Sequence, residues 1–336
     1  MMKYYKMTFF IFMTAGTLIT LSSYSWLSLW LGLEINLMMI IPLLVNTKNK
    51  FPTEAALKYF IVQVLASLIF LFSMIFIVKN NEQMPSIPKN FVMISMLSSI
   101  CIKLGAAPFH AWFPEVIEGL SWINSLIMLT WQKLAPMIIL MNNLMTSKFI
   151  IVIIVTSILI SSIMGLNQVS LHKIMAYSSI NHIAWMLSSM IYTKAIFFVY
   201  FVIYSLITTT ITLSLNMYKI MFISQMTMNK INKLMNFTVT ANLFSLGGLP
   251  PFLGFLPKWL TINSLIIQKN YLLATMLVIF SMLPLYFYLR VTFTQLALIS
   301  KEALIKTELK SSTVMLTMNI SALTGLALAT LMVNAL

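Results

Sequence analysis

Gly105 to Pro114 reads GAAPFHAWFP, and Gly248 to Pro257 reads GLPPFLGFLP. Both fit one template, G-x-x-P-F-x-x-x-x-P. The chain holds nine glycines and eleven prolines in 336 residues. Spending them twice on one helix-breaking phrase, nearly half the chain apart, calls for a setting in which a broken helix is useful.

Composition supplies that setting. Hydrophobic residues make up 60% of the chain and charged residues 8%, with a mean hydropathy of +0.94. A soluble domain carries roughly 25% charged residues. Apolar runs of about 20 residues, the length that crosses a bilayer as a helix, recur along the whole chain. The reading is an all-α, polytopic integral membrane protein, because in lipid every backbone polar group needs an internal partner.

Several function classes lose support at once. The formal charge is +14, but the lysines are scattered singly through short loops with no basic aromatic face, so nucleic acid is not an expected partner. Cys101 is the single cysteine and lies in an apolar run. His110, His172 and His182 lack metal-ligand spacing, and no dinucleotide or phosphate loop appears. The expectation is therefore no metal and no cofactor bound by this chain. The start, MMKYYKMTFFIFMTAG, looks like a signal peptide, but no small-residue cleavage site follows. It reads as a retained first helix.

Eleven spans are predicted: 4–22, 25–46, 54–78, 89–118, 121–144, 149–168, 173–192, 195–222, 237–265, 271–298 and 312–334. With that count, twelve lysines fall on the N-terminal side and five on the other. The positive-inside bias then places the N-terminus inside and the C-terminus outside. The template breaks span 4 and span 9, five helices apart, so the second half enters the membrane from the opposite face. The predicted organisation is a five-helix repeat over 1–147 broken at 105–114 and an inverted five-helix repeat over 148–300 broken at 247–257. A connecting loop and terminal helix over 301–336 complete it. Paired interrupted helices in inverted halves are a sequence pointer to a transport pathway. Gly105, Pro108, Pro114, Gly248, Pro251 and Pro257 are the residues that make the breaks. The competing reading is that prolines simply kink membrane helices.

Four charges sit inside predicted spans: Glu34, Lys103, Lys133 and Lys258. Each costs roughly 2.5–3.5 kcal/mol at the centre of a membrane helix on insertion scales. All seven acidic residues are glutamates, and only Glu34 lies well inside a span. Burial disfavours a charged lysine and a nearby carboxylate favours it. A Glu34–Lys103 pair that opens and closes would thus drive proton release, with Lys133 and Lys258 carrying protons onward through water. The alternative is a helix-locking ion pair, which accounts for only two of the four charges.

In HKIMAYSSINHIAWMLSSM, Ser178, Asn181, His182, Trp185, Ser188 and Ser189 follow helical spacing. They read either as the wall of a hydrated path, with His182 as a possible relay, or as polar packing between helices. Packing is preferred for the serines. His110, at the first break, stays open between the same two readings. Arg290, the single arginine, reads as an interfacial or structural residue.

KLGAAPFHAWFPEVIEGLSW, LTWQKLAP, HKIMAYSSINHIAWM and LGGLPPFLGFLPKW, with WLGLEINLMMIIPLL and TEAALKYFIVQ, resemble the chain 2 family of NADH:ubiquinone oxidoreductase, respiratory complex I. These are mitochondrially encoded members of the antiporter-like subunits. The likeness runs from about residue 15 to 295; the last forty residues match in character alone. It implies the shortened animal form of the family, lacking three helices. It also implies proton transfer by residues matching Glu34, Lys103, Lys133 and Lys258. Further implications are a mitochondrial inner-membrane location, a matrix N-terminus and a C-terminus toward the intermembrane space. NAD, FMN, iron–sulfur clusters and ubiquinone would belong to other subunits. Partners would be neighbouring antiporter-like and accessory subunits of the membrane arm, and phospholipids such as cardiolipin. Twenty lysines to one arginine, 28 methionines and no aspartate fit an AT-rich mitochondrial genome. Two rival readings use the same residues: a self-standing cation/proton antiporter, and a purely architectural bridge between subunits.

Overall fold

The computed structural model describes residues 4–45, 49–80, 89–142, 147–228, 233–250 and 252–297. Among them the secondary structure is helical, apart from an isolated bridge between Ser170 and Phe222. The eleventh predicted span, 312–334, lies outside the described residues, as does Pro251.

Helix boundaries follow the apolar runs. In order they are α1 Tyr4–Ser22, α2 Trp26–Leu44, α3 Lys50–Asn80, α4 Lys89–Leu104, α5 Trp112–Gly119, α6 Trp122–Leu129 and α7 Trp131–Asn142. There follow α8 Ser147–Leu166, α9 Leu171–Tyr192, α10 Lys194–Tyr218, α11 Ile223–Met228, α12 Lys233–Gly247, α13 Phe255–Ile267 and α14 Tyr271–Ala297. Among the described residues, six stretches are long and apolar enough to cross a membrane: Trp26–Leu44, Lys50–Ile77, Trp122–Asn142, Lys148–Leu166, Lys194–Tyr218 and Tyr271–Phe293. This is a multi-pass membrane protein.

Predicted span 4 is broken, as α4 and α5, and predicted span 9 as α12 and α13. Span 5, predicted over 121–144, is one apolar stretch over Trp122–Asn142, but it carries an interruption that was not foreseen. It is two helices, α6 and α7, meeting at Thr130, whose φ of −114° and ψ of −71° depart from helical values. Pro136 lies one turn into α7 and has no N–H to return to the carbonyl of Gln132 four residues earlier. A short helix, α11, was also not foreseen; Gln225 anchors its start by accepting from the backbone amides of Met221 and Phe222 at 2.7 and 3.3 Å.

Two compact units divide the chain, one up to Ile153 and one from Ile154 onward. In the first, α1 and α2 pack face to face through Gly16 and Gly32. A Cβ on Gly32 would meet the Thr20 amide nitrogen at 2.9 Å and a Cβ on Gly16 that of Asn36 at 2.9 Å. Small residues let the two backbones approach, which in a membrane replaces hydrophobic pressure as the source of packing. Beyond that seam, Met13, Ile40, Leu44, Ala55, Tyr59, Val116 and Met128 form a shared core.

In the second unit the organising element is α9, packed against α10, α13 and α14. Every residue from Leu171 to Met190 except Lys173 is buried. A helix buried on all sides needs no polar face for water and none for lipid. Its serines therefore bond back to their own helix: Ser178 to Met175 O, Ser179 to Ala176 O, Ser188 to Trp185 O and Ser189 to Met186 O, all at 2.7–2.8 Å. The serine positions are packing positions, as preferred from the sequence.

Candidate functional site

The two broken helices end in the same way. Gly105, with φ of 71°, and Gly248, with φ of 78°, both adopt the left-handed region that glycine tolerates without strain. At the first break the Gly105 amide donates to Ile102 O and the Ala106 amide to Cys101 O. At the second the Gly248 amide donates to Ser245 O and the Leu249 amide to Phe244 O. This pair of bonds is a Schellman cap, which satisfies carbonyls a helix end would leave open. A turn follows in each, with Phe109 N bonded to Ala106 O and Phe252 N to Leu249 O. The first turn includes Pro108 behind a cis bond from Ala107. Pro114 and Pro257 each fall at the third residue of the new helix, where a missing N–H costs nothing.

In the first unit these caps deliver Lys103 to the last turn of α4, where the helix dipole favours a cation. Lys103 is 8% exposed and Lys133, on α7, 2%. Two small cavities adjoin Lys103, and one of them also touches Lys133. One offers ≈ 20 Å³ to the centre of a water and is lined by Leu33, Asn36, Leu37, Tyr59, Gln63, Lys103, Gln132 and Pro136. The other offers ≈ 10 Å³ and touches Lys103 and Lys133 together, with Tyr59, Leu104, Trp112, Phe113, Met128 and Gln132. A single water needs roughly 10–15 Å³ on this measure, so the first admits one and the second is at the limit.

Polar side chains ring this space. Gln132 Nε2 donates to Asn36 Oδ1 at 2.9 Å, and the Tyr59 hydroxyl approaches Gln132 Oε1 at 3.5 Å. Gln63 Nε2 approaches the Lys103 carbonyl at 3.4 Å. Glu34 Oε1 is buried without a hydrogen-bond partner. Lys133 Nζ stands 5.4 Å from the centre of the Phe113 ring, a face that attracts cations. Lys103 and Lys133 are thus brought to one cavity, and Glu34 lies on α2 between Leu33 and Asn36, which line the other space beside Lys103. Asn36, Tyr59, Gln63 and Gln132 were missed from the sequence, although polar residues in the middle of spans 2, 3 and 5 were there to be noticed.

In the second unit Lys258 is 8% exposed and turns back across the break. Its Nζ donates to Gly247 O at 2.7 Å, capping the end of α12, and stands 5.6 Å from the Trp185 ring centre. Gly248 makes room: a Cβ there would sit 2.7 Å from Lys258 Cδ. On α9, His182 Nδ1 lies 2.9 Å from the Tyr200 hydroxyl, with the Tyr204 ring centre 5.1 Å away. Asn181 Nδ2 and Trp185 Nε1 are buried without partners.

The remaining charged and titratable positions have plainer roles. Arg290 donates to Leu166 O at 2.6 Å and Gln168 O at 2.7 Å, closing the end of α8, so the structural reading holds. His110 is half-buried, with Nδ1 3.3 Å from the Pro108 carbonyl. Lys58 and Glu115 form an exposed ion pair of 2.6 Å that ties α5 to α3.

Chemically, the first unit sets two buried amines, Lys103 and Lys133, on one small cavity with the Tyr59 phenol and the Gln132 amide beside them. A family described as NADH:quinone oxidoreductase/Mrp antiporter, TM, matches residues 23–284. NADH-ubiquinone oxidoreductase chain 2 of Anopheles gambiae is 46% identical over 288 residues, 85% of this chain and 84% of its own. The chain 2 protein of Locusta migratoria is 41% identical over 298 residues, 88% of this chain and 87% of its own. A chain of respiratory complex I from Thermus thermophilus shares the fold, with a TM-score of 0.83 over 97% of this chain and 78% of that one at 21% identity. The chain belongs to the NADH:quinone oxidoreductase/Mrp antiporter transmembrane family, among its NADH-ubiquinone oxidoreductase chain 2 members.

Proposed function

We propose that this chain is a proton-translocating subunit of the membrane arm of mitochondrial NADH:ubiquinone oxidoreductase. It crosses the inner membrane eleven times as two inverted five-helix repeats and a final helix, with its N-terminus in the matrix. Redox chemistry at NAD, FMN, iron–sulfur clusters and ubiquinone belongs to other subunits. This chain binds none of those groups and converts their energy through Glu34, Lys103, Lys133 and Lys258, with His182 as a further relay position. Moving a proton against the membrane field costs about 2.3 kcal/mol per 100 mV, so repeated turnover requires that external drive.

The observation that carries the reading is the small cavity that Lys103 and Lys133 share, lined by apolar and polar side chains alike, inside an apolar unit. Two amines of like charge beside one cavity are costly to bury, and a purely architectural core has no use for them. When the Glu34 carboxylate turns away from Lys103, the ammonium loses its counter-charge and releases a proton to the water beside it. The Lys133 amine, on the cavity it shares with Lys103, receives that proton when it is itself neutral.

The test is the ratio of protons moved to electrons transferred in an assembled complex carrying Lys133→Ala. The expected outcome is NADH oxidation with a reduced ratio. An unchanged ratio removes Lys133 from the path and favours the architectural alternative.

A further inference from the structure

Two cavities flank Lys103, and they share Tyr59, Lys103 and Gln132. Of the shared residues, only Tyr59 and Gln132 bring uncharged polar side chains. Gln132 stands next to Lys133 in sequence, at the start of the helix that follows the Thr130 break. Its amide is held at both ends, by Asn36 Oδ1 at 2.9 Å and by the Tyr59 hydroxyl at 3.5 Å. The second of these is long for a hydrogen bond to a hydroxyl. The amide nitrogen keeps a second N–H and the amide oxygen a second lone pair for a further partner, and Gln132 lines a water-sized space. The backbone adds a further acceptor, because Pro136 cannot donate to the Gln132 carbonyl, and Pro136 itself lines the larger cavity.

We infer that Gln132 is a positioning residue, its amide and Tyr59 holding the water through which Lys103 and Lys133 exchange a proton. The inference rests on the proton-transfer reading above and names a residue that reading does not use. In the exchange, one lysine ammonium gives an N–H proton to the water oxygen. One of the water's own protons passes to the neutral amine of the other lysine. One positive charge is present before and after, and the water is regenerated. An amide suits this post, since it offers both a donor and an acceptor yet keeps no proton itself. A carboxylate in its place would bind the charge and stop it.

The experiment compares Gln132→Met, which keeps the length and removes both polar groups, with Gln132→Asn, which keeps the amide on a shorter arm. Both are measured in assembled, membrane-bound complex beside Lys133→Ala. Expected for Gln132→Met is turnover per assembled complex lowered on the order of tenfold, the rate equivalent of one lost net hydrogen bond. The slowing should come with a larger solvent deuterium effect, because proton transfer becomes rate-limiting. Gln132→Asn should recover most of the rate. Unchanged turnover and isotope effect in Gln132→Met, with Lys133→Ala impaired, overturns the inference while leaving the function intact. If Lys133→Ala itself keeps the full proton-to-electron ratio, the functional reading fails first. Reduced assembly with unaltered turnover per assembled complex assigns Gln132 a packing role and also overturns the inference.

Discussion

At Gly105 and at Gly248 the chain ends a helix with the same two amide bonds and the same left-handed glycine, but the charges are placed differently. In the first break the buried lysine, Lys103, precedes the glycine, and the position after the last template proline is Glu115, exposed and paired with Lys58. In the second, the position after the last proline is Lys258, buried and turned back onto the Gly247 carbonyl. A shared backbone cap thus serves two chemistries. The first leaves its lysine on a cavity with polar neighbours. The second uses its lysine to close the very helix end that the cap leaves open. What the phrase specifies is the interruption, and the side chains around it decide what the interruption is for.

The sharpest difference between the copies is position 111 against 254. Ala111 is exposed, whereas a Cβ on Gly254 would fall 1.7 Å from the Ser245 carbonyl oxygen. No rotamer relieves a clash with backbone. Gly254→Ala should destabilise the protein by more than about 4 kcal/mol and appear as loss of assembled complex on native gels. Ala111→Gly should cost about 1 kcal/mol or less and leave assembly intact. Normal assembly of Gly254→Ala would mean that α12 and α13 pack less tightly than described.

Next in size is the lysine that closes the second break. Lys258→Met removes a charge and its hydrogen bond together, and such replacements are often tolerated when volume is kept. Assembly should therefore survive while the proton-to-electron ratio falls. A full ratio would leave Lys258 a cap and nothing more, separating the two breaks in function as well as in chemistry.

The glycines themselves come third. Placing a side chain in the left-handed region costs roughly 1–2 kcal/mol at either site. At Gly105 the added Cβ meets the Phe113 side chain at 3.1–3.3 Å, but at Gly248 it meets Lys258 Cδ at 2.7 Å and Nζ at 3.0 Å. Gly248→Ala should lower the unfolding midpoint further than Gly105→Ala and should also weaken pumping by moving Lys258. Equal midpoints would show that Lys258 yields freely.

The comparison also shows what the sequence made legible. The breaks were readable because glycine and proline act locally, through φ and a missing amide, and both act before any tertiary contact forms. The buried charges were readable for a similar reason, since an ionisable group in an apolar run stands out against its neighbours. The break at Thr130 was not: threonine carries no comparable signature, and Pro136 a turn later pointed inside the helix rather than to its interruption. Asn36, Tyr59, Gln63 and Gln132 were hidden because only packing of α2, α3, α4 and α7 brings them to one cavity. In α9 the helical spacing suggested one polar face, yet burial on every side made face a poor guide. The left-handed ends at Lys219 and Lys269 carry lysine where glycine is the usual signal, so nothing in the residue type announced them.

The smallest expected effect belongs to Glu115, the counterpart of Lys258 in the template. It is 55% exposed and its partner Lys58 is 56% exposed, so water competes for both charges and salt screens them. Glu115→Gln should lower the unfolding midpoint by less than any substitution above, and added salt should erase the difference. The proton-to-electron ratio should stay at the level of the unsubstituted complex. If that ratio fell, the ion pair between α3 and α5 would be part of the coupling, and the two breaks would be more alike than their burial suggests. If it holds while Lys258→Met lowers it, one template position is solvated in the first break and functional in the second, and burial of the side chain is what separates them.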